Sequence, residues 1–197
     1  MALSPAARGA AYERACLHTL QHMLGASLTH TGGAHDRGID LVGWWALPPA
    51  RIRLLVQCKA EARRVAPAYV RELEGTVVRA AWDRTAAIDA SSAADAAAAL
   101  TPMPIGVLVA LHGFTRAALL HAQGSRVPLA LVHLGGEEGE EGAAAASAPT
   151  TSTSPAPLPC RGLVWNDAFA ARVAHRVTQR WPLHGHTPTL LVDGRPI

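Results

Sequence analysis

Residues 38–59, "GIDLVGWWALPPARIRLLVQCK", decide how the rest of the chain can be arranged. Two apolar runs rich in branched and aromatic side chains flank Pro48-Pro49, which reads as two strands joined at a tip where no ladder N–H is needed. A turn centred between the prolines pairs residues equidistant from it, so Asp40 falls opposite Gln57. Side chains alternate along a strand, so Gln57 and Lys59 share one face and Cys58 takes the other. The spacing therefore gathers Asp40, Gln57 and Lys59 on one patch, as long as no bulge intervenes.

Outward from this hairpin, "PIGVLVAL", "FTRAALLHAQ" and "VPLALVHL" read as strand, helix and strand, a right-handed crossover with parallel pairing. Upstream, residues 10–24 carry helical periodicity, with Ala11, Ala15, Leu20, Met23 and Leu24 on one apolar side and Gly25 as the stop. "SLTHTGG" offers a short strand before a glycine turn, and "APAYVRELEGTVVRAAW" a helix with Pro67 near its first turn. Residues 85–103 are Ala/Ser/Asp-rich and read equally as helix or loose insertion. A last helix is expected around "NDAFAARVAHRVTQRW", capped by Asn166.

These elements predict an α/β fold with a central mixed β-sheet flanked by helices. Residues 1–134 form the core and 161–197 complete the same domain with a strand and a helix. Between them, 135–160 is acidic, then Ala/Ser/Thr/Pro-rich, and cannot bury enough apolar surface to offset its ordering entropy; it is expected to be a disordered insertion.

The 197 residues, 49% hydrophobic, suit one globular domain, and the net charge of +3 is compatible with a phosphodiester partner. Three cysteines, Cys16, Cys58 and Cys160, share no metal-ligand spacing, and an odd count argues for a reducing compartment. No run reaches the eighteen or so apolar residues of a membrane span. No Gly-x-Gly-x-x-Gly follows a strand, which argues against a dinucleotide-binding reading. The N-terminal segment holds Arg8 and Arg14 and one acid, Glu13, a charge pattern like that of a transit peptide.

Lys59 is the only lysine among eighteen basic residues, the rest being arginine. An ammonium is a compact charge with a tunable pKa, whereas guanidinium stays protonated, so a retained lysine points to work that arginine cannot do. A carboxylate, an amide oxygen and an ammonium together suit metal-assisted hydrolysis of a phosphodiester. Asp40 and the Gln57 amide oxygen, or the Cys58 backbone carbonyl, would hold Mg²⁺, with Mn²⁺ as a substitute. Lys59 would position water or neutralise charge in the transition state.

The phrases "GGAHDRGIDLVGWW" and "LLVQCKAEARRVAPAYVRELEGT", with "YERACLHTL" upstream and "IGVLVALHGFTRAALLHAQ" downstream, resemble the PD-(D/E)xK nuclease superfamily in its Mrr-like branch, which carries Gln-x-Lys in place of Glu-x-Lys. The wording is similar still to the fungal mitochondrial family described as required for respiratory growth. The resemblance implies a restriction-endonuclease-like fold and a metal-dependent endonuclease acting on DNA, as a possible homodimer, in mitochondrial genome maintenance. The alternative is a catalytically inactive nuclease fold that binds nucleic acid or assists respiratory assembly, which the retained lysine disfavours. Asp40 resembles the metal-binding aspartate, Gln57 the metal-coordinating Glu or Gln, Lys59 the catalytic lysine, and Glu13 the carboxylate lent by the first helix.

Other side chains carry two readings. Arg63 and Arg64, just past the second strand, and Arg37 before Asp40 are candidates for phosphate contact. His35 and Asp36 could reach the site but read first as loop residues. Arg71, Glu72 and Glu74 read first as a solvated helix face. Of Trp44 and Trp45, adjacent on a strand, at least one belongs to the core.

Overall fold

The computed structural model describes residues 4–31, 38–88, 103–135, 157–183 and 187–197. The hairpin forms as expected: β2 (Leu41–Leu47) and β3 (Ala50–Lys59) pair antiparallel about a two-residue turn at Pro48-Pro49, from Leu47↔Ala50 to Leu41↔Val56. β1 (Ser27–His30) lies on the outer side of β2, and β4 (Ile105–Ala110) pairs parallel with β3. Helix α3 (Arg116–Gly124) then crosses to β5 (Leu129–Leu134), parallel to β4, completing the predicted crossover. β6 (Cys160–Trp165) closes the sheet antiparallel to β5, giving six strands in chain order.

Alternation along the strands sends side chains to two cores. Ile52, Leu54, Val56 and Val109 face α1 (Pro5–Leu24), with Tyr12, Cys16, Leu20 and Met23. Leu55, Leu108, Ala110 and Leu131 face α2 (Pro67–Ile88) and α3, with Val70, Leu73, Val77 and Ala118. β4 is buried along its whole length, as a strand covered on both faces must be. The fold is the expected mixed α/β layer structure, a central mixed sheet flanked by helices.

The structure departs from the sequence reading in several places. α1 starts earlier, N-capped by Ser4 with Pro5 in its first turn, and its buried stripe centres on Tyr12 and Cys16 rather than Ala11 and Ala15. α2 runs to Ile88, so part of 85–103 is helix; 89–102 lie outside the described residues, as do 136–156 of the low-complexity segment. Cys160, placed in that segment by its composition, begins β6.

The largest departure follows Asn166. The helix expected to Trp181 spans only Asp167–Arg172 (α4), because Ala174 and His175 take positive φ values of 52° and 56°. The β-branched Val177 and Thr178 then open a second, three-stranded sheet: β7 (Val177–Arg180), β8 (Thr189–Val192) and β9 (Arg195–Pro196). Val177 and Leu190 sink into the core on the α1 side. Arg176 clamps the small sheet, with Nε and Nη2 on the Asp193 carboxylate and Nη1 2.7 Å from the Pro48 carbonyl at the hairpin tip.

Candidate functional site

The open end of the hairpin is where the predicted residues meet. Leu41 pairs with Val56 as the tip dictates, but the Asp40 N–H also donates to the Val56 carbonyl, at 2.9 Å. Two successive residues thus address one partner, the pattern of a β-bulge. The simple Asp40↔Gln57 pairing is therefore corrected. The bulge turns the Asp40 carboxylate inward, where Oδ2 accepts from the Cys58 N–H at 2.6 Å. Asp40 is thus bound to the residue between Gln57 and Lys59.

Gln57 and Lys59 share the α2 face, as alternation requires. Gln57 is 1% exposed, and its Nε2 donates to Glu72 Oε1 at 3.0 Å. The bond orients the amide: a carboxylate partner demands the NH₂ group and sends the carbonyl the other way. Gln57 Oε1 is left buried with no hydrogen-bond partner among the described residues. Lys59 Nζ lies 4.6 Å from the centre of the Tyr69 ring, a cation–π contact that holds the ammonium at the strand end. The Tyr69 hydroxyl donates to Glu61, and that bond is the main reason its pKa is raised.

Tyr69 and Glu72 are i, i+3 neighbours on α2, and they meet Lys59 and Gln57, i+2 and i on β3. The sequence reading set Glu72 aside as solvated; the structure makes it the anchor of the buried glutamine. The helix-to-strand match of these two rows was the available signal. Gly38, at φ 75°, closes the arrangement: a Cβ there would lie 2.7 Å from Glu72 Oε1 and 2.9 Å from Gln57 Nε2, so any side chain would strain the backbone and push one of the two aside. Glu74, also expected to be solvated, instead bonds His121 of α3 at 2.8 Å.

The remaining candidates fall on either side. Cys58 turns toward α1, where hydrogen bonding to Cys16, then burial, and then the nearby carboxylates of Asp40 and Glu13 push its thiol well up. Glu13 therefore shares Cys58's surroundings with Asp40, and it also lies 3.8 Å from His30 Nδ1. Arg63 and Arg64 are exposed on the loop after β3. Trp45 is core, at 2% exposure, while Trp44 carries Arg51 over its ring at 5.2 Å. His35, Asp36 and Arg37 lie outside the described residues.

Among the described residues no three His, Cys, Asp or Glu side chains form a metal cage. The donors present are of another kind: an orphaned amide oxygen at Gln57, and a carboxylate at Asp40 bound to the N–H of the next residue, Cys58. Hard oxygens in small number fit Mg²⁺, which retains several waters and takes few protein ligands. If Glu72 orients that oxygen, Glu72→Ala weakens Mg²⁺ binding to the protein about 10–100-fold in a direct titration. An unchanged Mg²⁺ affinity, with the melting curve intact, would remove Glu72 from the site.

A family model described as a restriction endonuclease, of the Mrr catalytic type, matches residues 6–134. That span runs from α1 through β5 and contains Glu13, Asp40, Gln57 and Lys59; β6 and the small sheet lie beyond it. No curated protein and no solved structure matches the chain.

Proposed function

We propose, from the premise that the chain belongs to the restriction endonuclease family of Mrr type, that it hydrolyses DNA phosphodiesters in a divalent-metal-dependent reaction. The observation that carries this is the buried, unpartnered Gln57 oxygen, oriented by Glu72 on the strand whose Cys58 N–H binds the Asp40 carboxylate and whose end carries Lys59. Asp40, Gln57 Oε1 and the Cys58 carbonyl would hold Mg²⁺ or Mn²⁺. The ion, when bound, supplies Lewis acidity and a nucleophilic water near neutral pH.

The chain's own residues do the rest. Lys59 neutralises charge growing on the phosphoryl oxygens and orients the attacking water, from a position that Tyr69 fixes in advance. Water oxygen forms the new P–O bond as the bridging P–O bond breaks; the water's proton leaves to solvent and the departing oxygen is protonated. The exposed Arg63 and Arg64, with Arg37, would contact flanking phosphates and set the register of the strand.

Supercoiled plasmid and branched DNA incubated with Mg²⁺, Mn²⁺ or EDTA test the reading. Cutting with metal and none in EDTA supports it. Binding without cutting under every condition overturns it in favour of a nuclease fold kept for its surface. Pairing of two copies would let both strands be cut. A mitochondrial role in genome maintenance rests on the resemblance of the "DRGIDL" and "QCK" phrases to the fungal respiratory-growth family. A fluorescent fusion of the full chain should then co-localise with mitochondrial DNA, and a diffuse cytosolic signal would overturn that placement.

A further inference from the structure

Each carboxylate described at the candidate site is bonded to something other than Lys59. Glu72 Oε1 accepts from Gln57 Nε2, Asp40 Oδ2 from the Cys58 N–H, and Glu61 Oε1 from the Tyr69 hydroxyl. The Lys59 ammonium lies instead over the Tyr69 ring, 4.6 Å from its centre, and has no ion-pair partner among the described residues. The difference matters for an anion. A carboxylate would cancel the ammonium's charge, whereas a neutral ring holds the cation and leaves that charge in place.

Glu61 is the carboxylate best placed to compete. It is exposed, it follows Lys59 by two residues, and both side chains meet on Tyr69, one at the ring and one at the hydroxyl. The geometry follows from the sequence. Tyr69 is the third residue of α2, and a long side chain on a helix leans back toward the helix N-terminus, here toward the segment that carries Glu61. The phenol also remains a donor through the neutral range. Its pKa is raised, first by the bond to Glu61, then by burial and by the charges of Glu61 and Glu72.

We propose that Tyr69 is a positioning residue with two separable tasks: its ring presents the Lys59 ammonium, and its hydroxyl holds Glu61 away from it. The lysine's charge thereby stays open to a phosphate. The proposal rests on the nuclease reading only for the identity of that anion. Without the hydroxyl, Glu61 is released, and a flexible four-carbon stem lets the ammonium swing to it.

The single lysine makes the first test independent of cleavage. Lysine-selective ¹³C labelling gives one set of side-chain NMR signals, recorded without metal or DNA. In the parent, the Tyr69 ring current should move the Lys59 ε-methylene protons upfield of their position in an exposed lysine. Tyr69→Phe keeps the ring and frees Glu61, so most of that displacement should disappear. In Tyr69→Phe/Glu61→Gln it should return, because no carboxylate is left to capture the ammonium. Protons that are not displaced in the parent, or that stay displaced in Tyr69→Phe, overturn the proposal.

Single-turnover cleavage in Mg²⁺ is the second test. Tyr69→Phe should be about fivefold slower than the parent, the upper preference for an exposed ion pair, and the double variant should recover to within about twofold. Glu61→Gln alone completes the cycle, and the coupling between the two positions separates capture from a general structural loss. A double variant as slow as Tyr69→Phe overturns the guarding role of the hydroxyl. The expected NMR pattern with no cutting under any condition would keep the arrangement and remove the nuclease reading.

Discussion

Lys59→Ala lowers the single-turnover cleavage rate in Mg²⁺ by roughly 10²–10³-fold, the loss typical when one preorganised electrostatic partner of the transition state is removed. The fold survives. Lys59 ends β3 half-buried, and its contact with the partly exposed Tyr69 contributes about 0.5–1 kcal/mol. Lys59→Arg separates charge from chemistry. It keeps a cation over the ring but replaces a compact ammonium with a wider group that does not deprotonate. A rate for Arg close to that of Ala means that the ammonium itself is needed; a rate close to the parent's reduces Lys59 to a point charge. Parent-like cleavage by Lys59→Ala, with melting curves superposed, would falsify the proposed chemistry.

Asn166→Ala destabilises the protein by about 3 kcal/mol, a loss of roughly 6–12 °C in Tm. Asn166 is 2% exposed and satisfies five backbone groups at once. Its Oδ1 accepts from the Leu129 and Phe169 N–H groups; its Nδ2 donates to the carbonyls of Ala122, Ser125 and Val127. One side chain thus ties the end of α3, the start of β5 and the N-terminus of α4. Asn166→Asp decides whether this is only a helix cap. Aspartate caps as well as asparagine does, so a simple cap would tolerate it. Here it would set a carboxylate against three carbonyl oxygens, and it should cost at least as much as alanine. Chemical or thermal unfolding curves of the Asn166→Asp variant that superpose on the parent's would reduce the residue to a cap.

The legible parts of this protein were those written in short range. Pro48-Pro49 set the hairpin tip and, through it, the register from Leu47↔Ala50 to Leu41↔Val56. The apolar runs around 105–110 and 129–134, separated by a ten-residue helical pattern, were enough for the parallel crossover. The capping role of Asn166 was visible from its position, whereas its three carbonyl partners were not, since they sit on elements distant in sequence. The Asp40 bulge escaped for a related reason: a bulge leaves no mark in residue pattern, only in which carbonyl an N–H meets. Glu72 was hidden because a charged residue on a helix is normally wet, and only Gln57 beneath it makes it an anchor. The C-terminal sheet was misread as helix because alanines carried the helical period past Ala174 and His175, where no glycine marks the turn to positive φ.

β3 is paired antiparallel on one side and parallel on the other, and this joins two very different search problems. Val56 finds Leu41 by closing one tight turn, an event of microseconds for an isolated hairpin. Leu54 finds Ile105 only after the whole of α2 and the residues beyond it have been looped out, with a larger loss of chain entropy before any contact repays it. The oxygen donors Asp40 and Gln57 belong to the first problem. Ala110 and His133, on the far side of the seam, belong to the second. The candidate oxygen donors are thereby brought together locally, by neighbours along the chain, while the half of the sheet beyond β3 waits for contacts of high sequence separation.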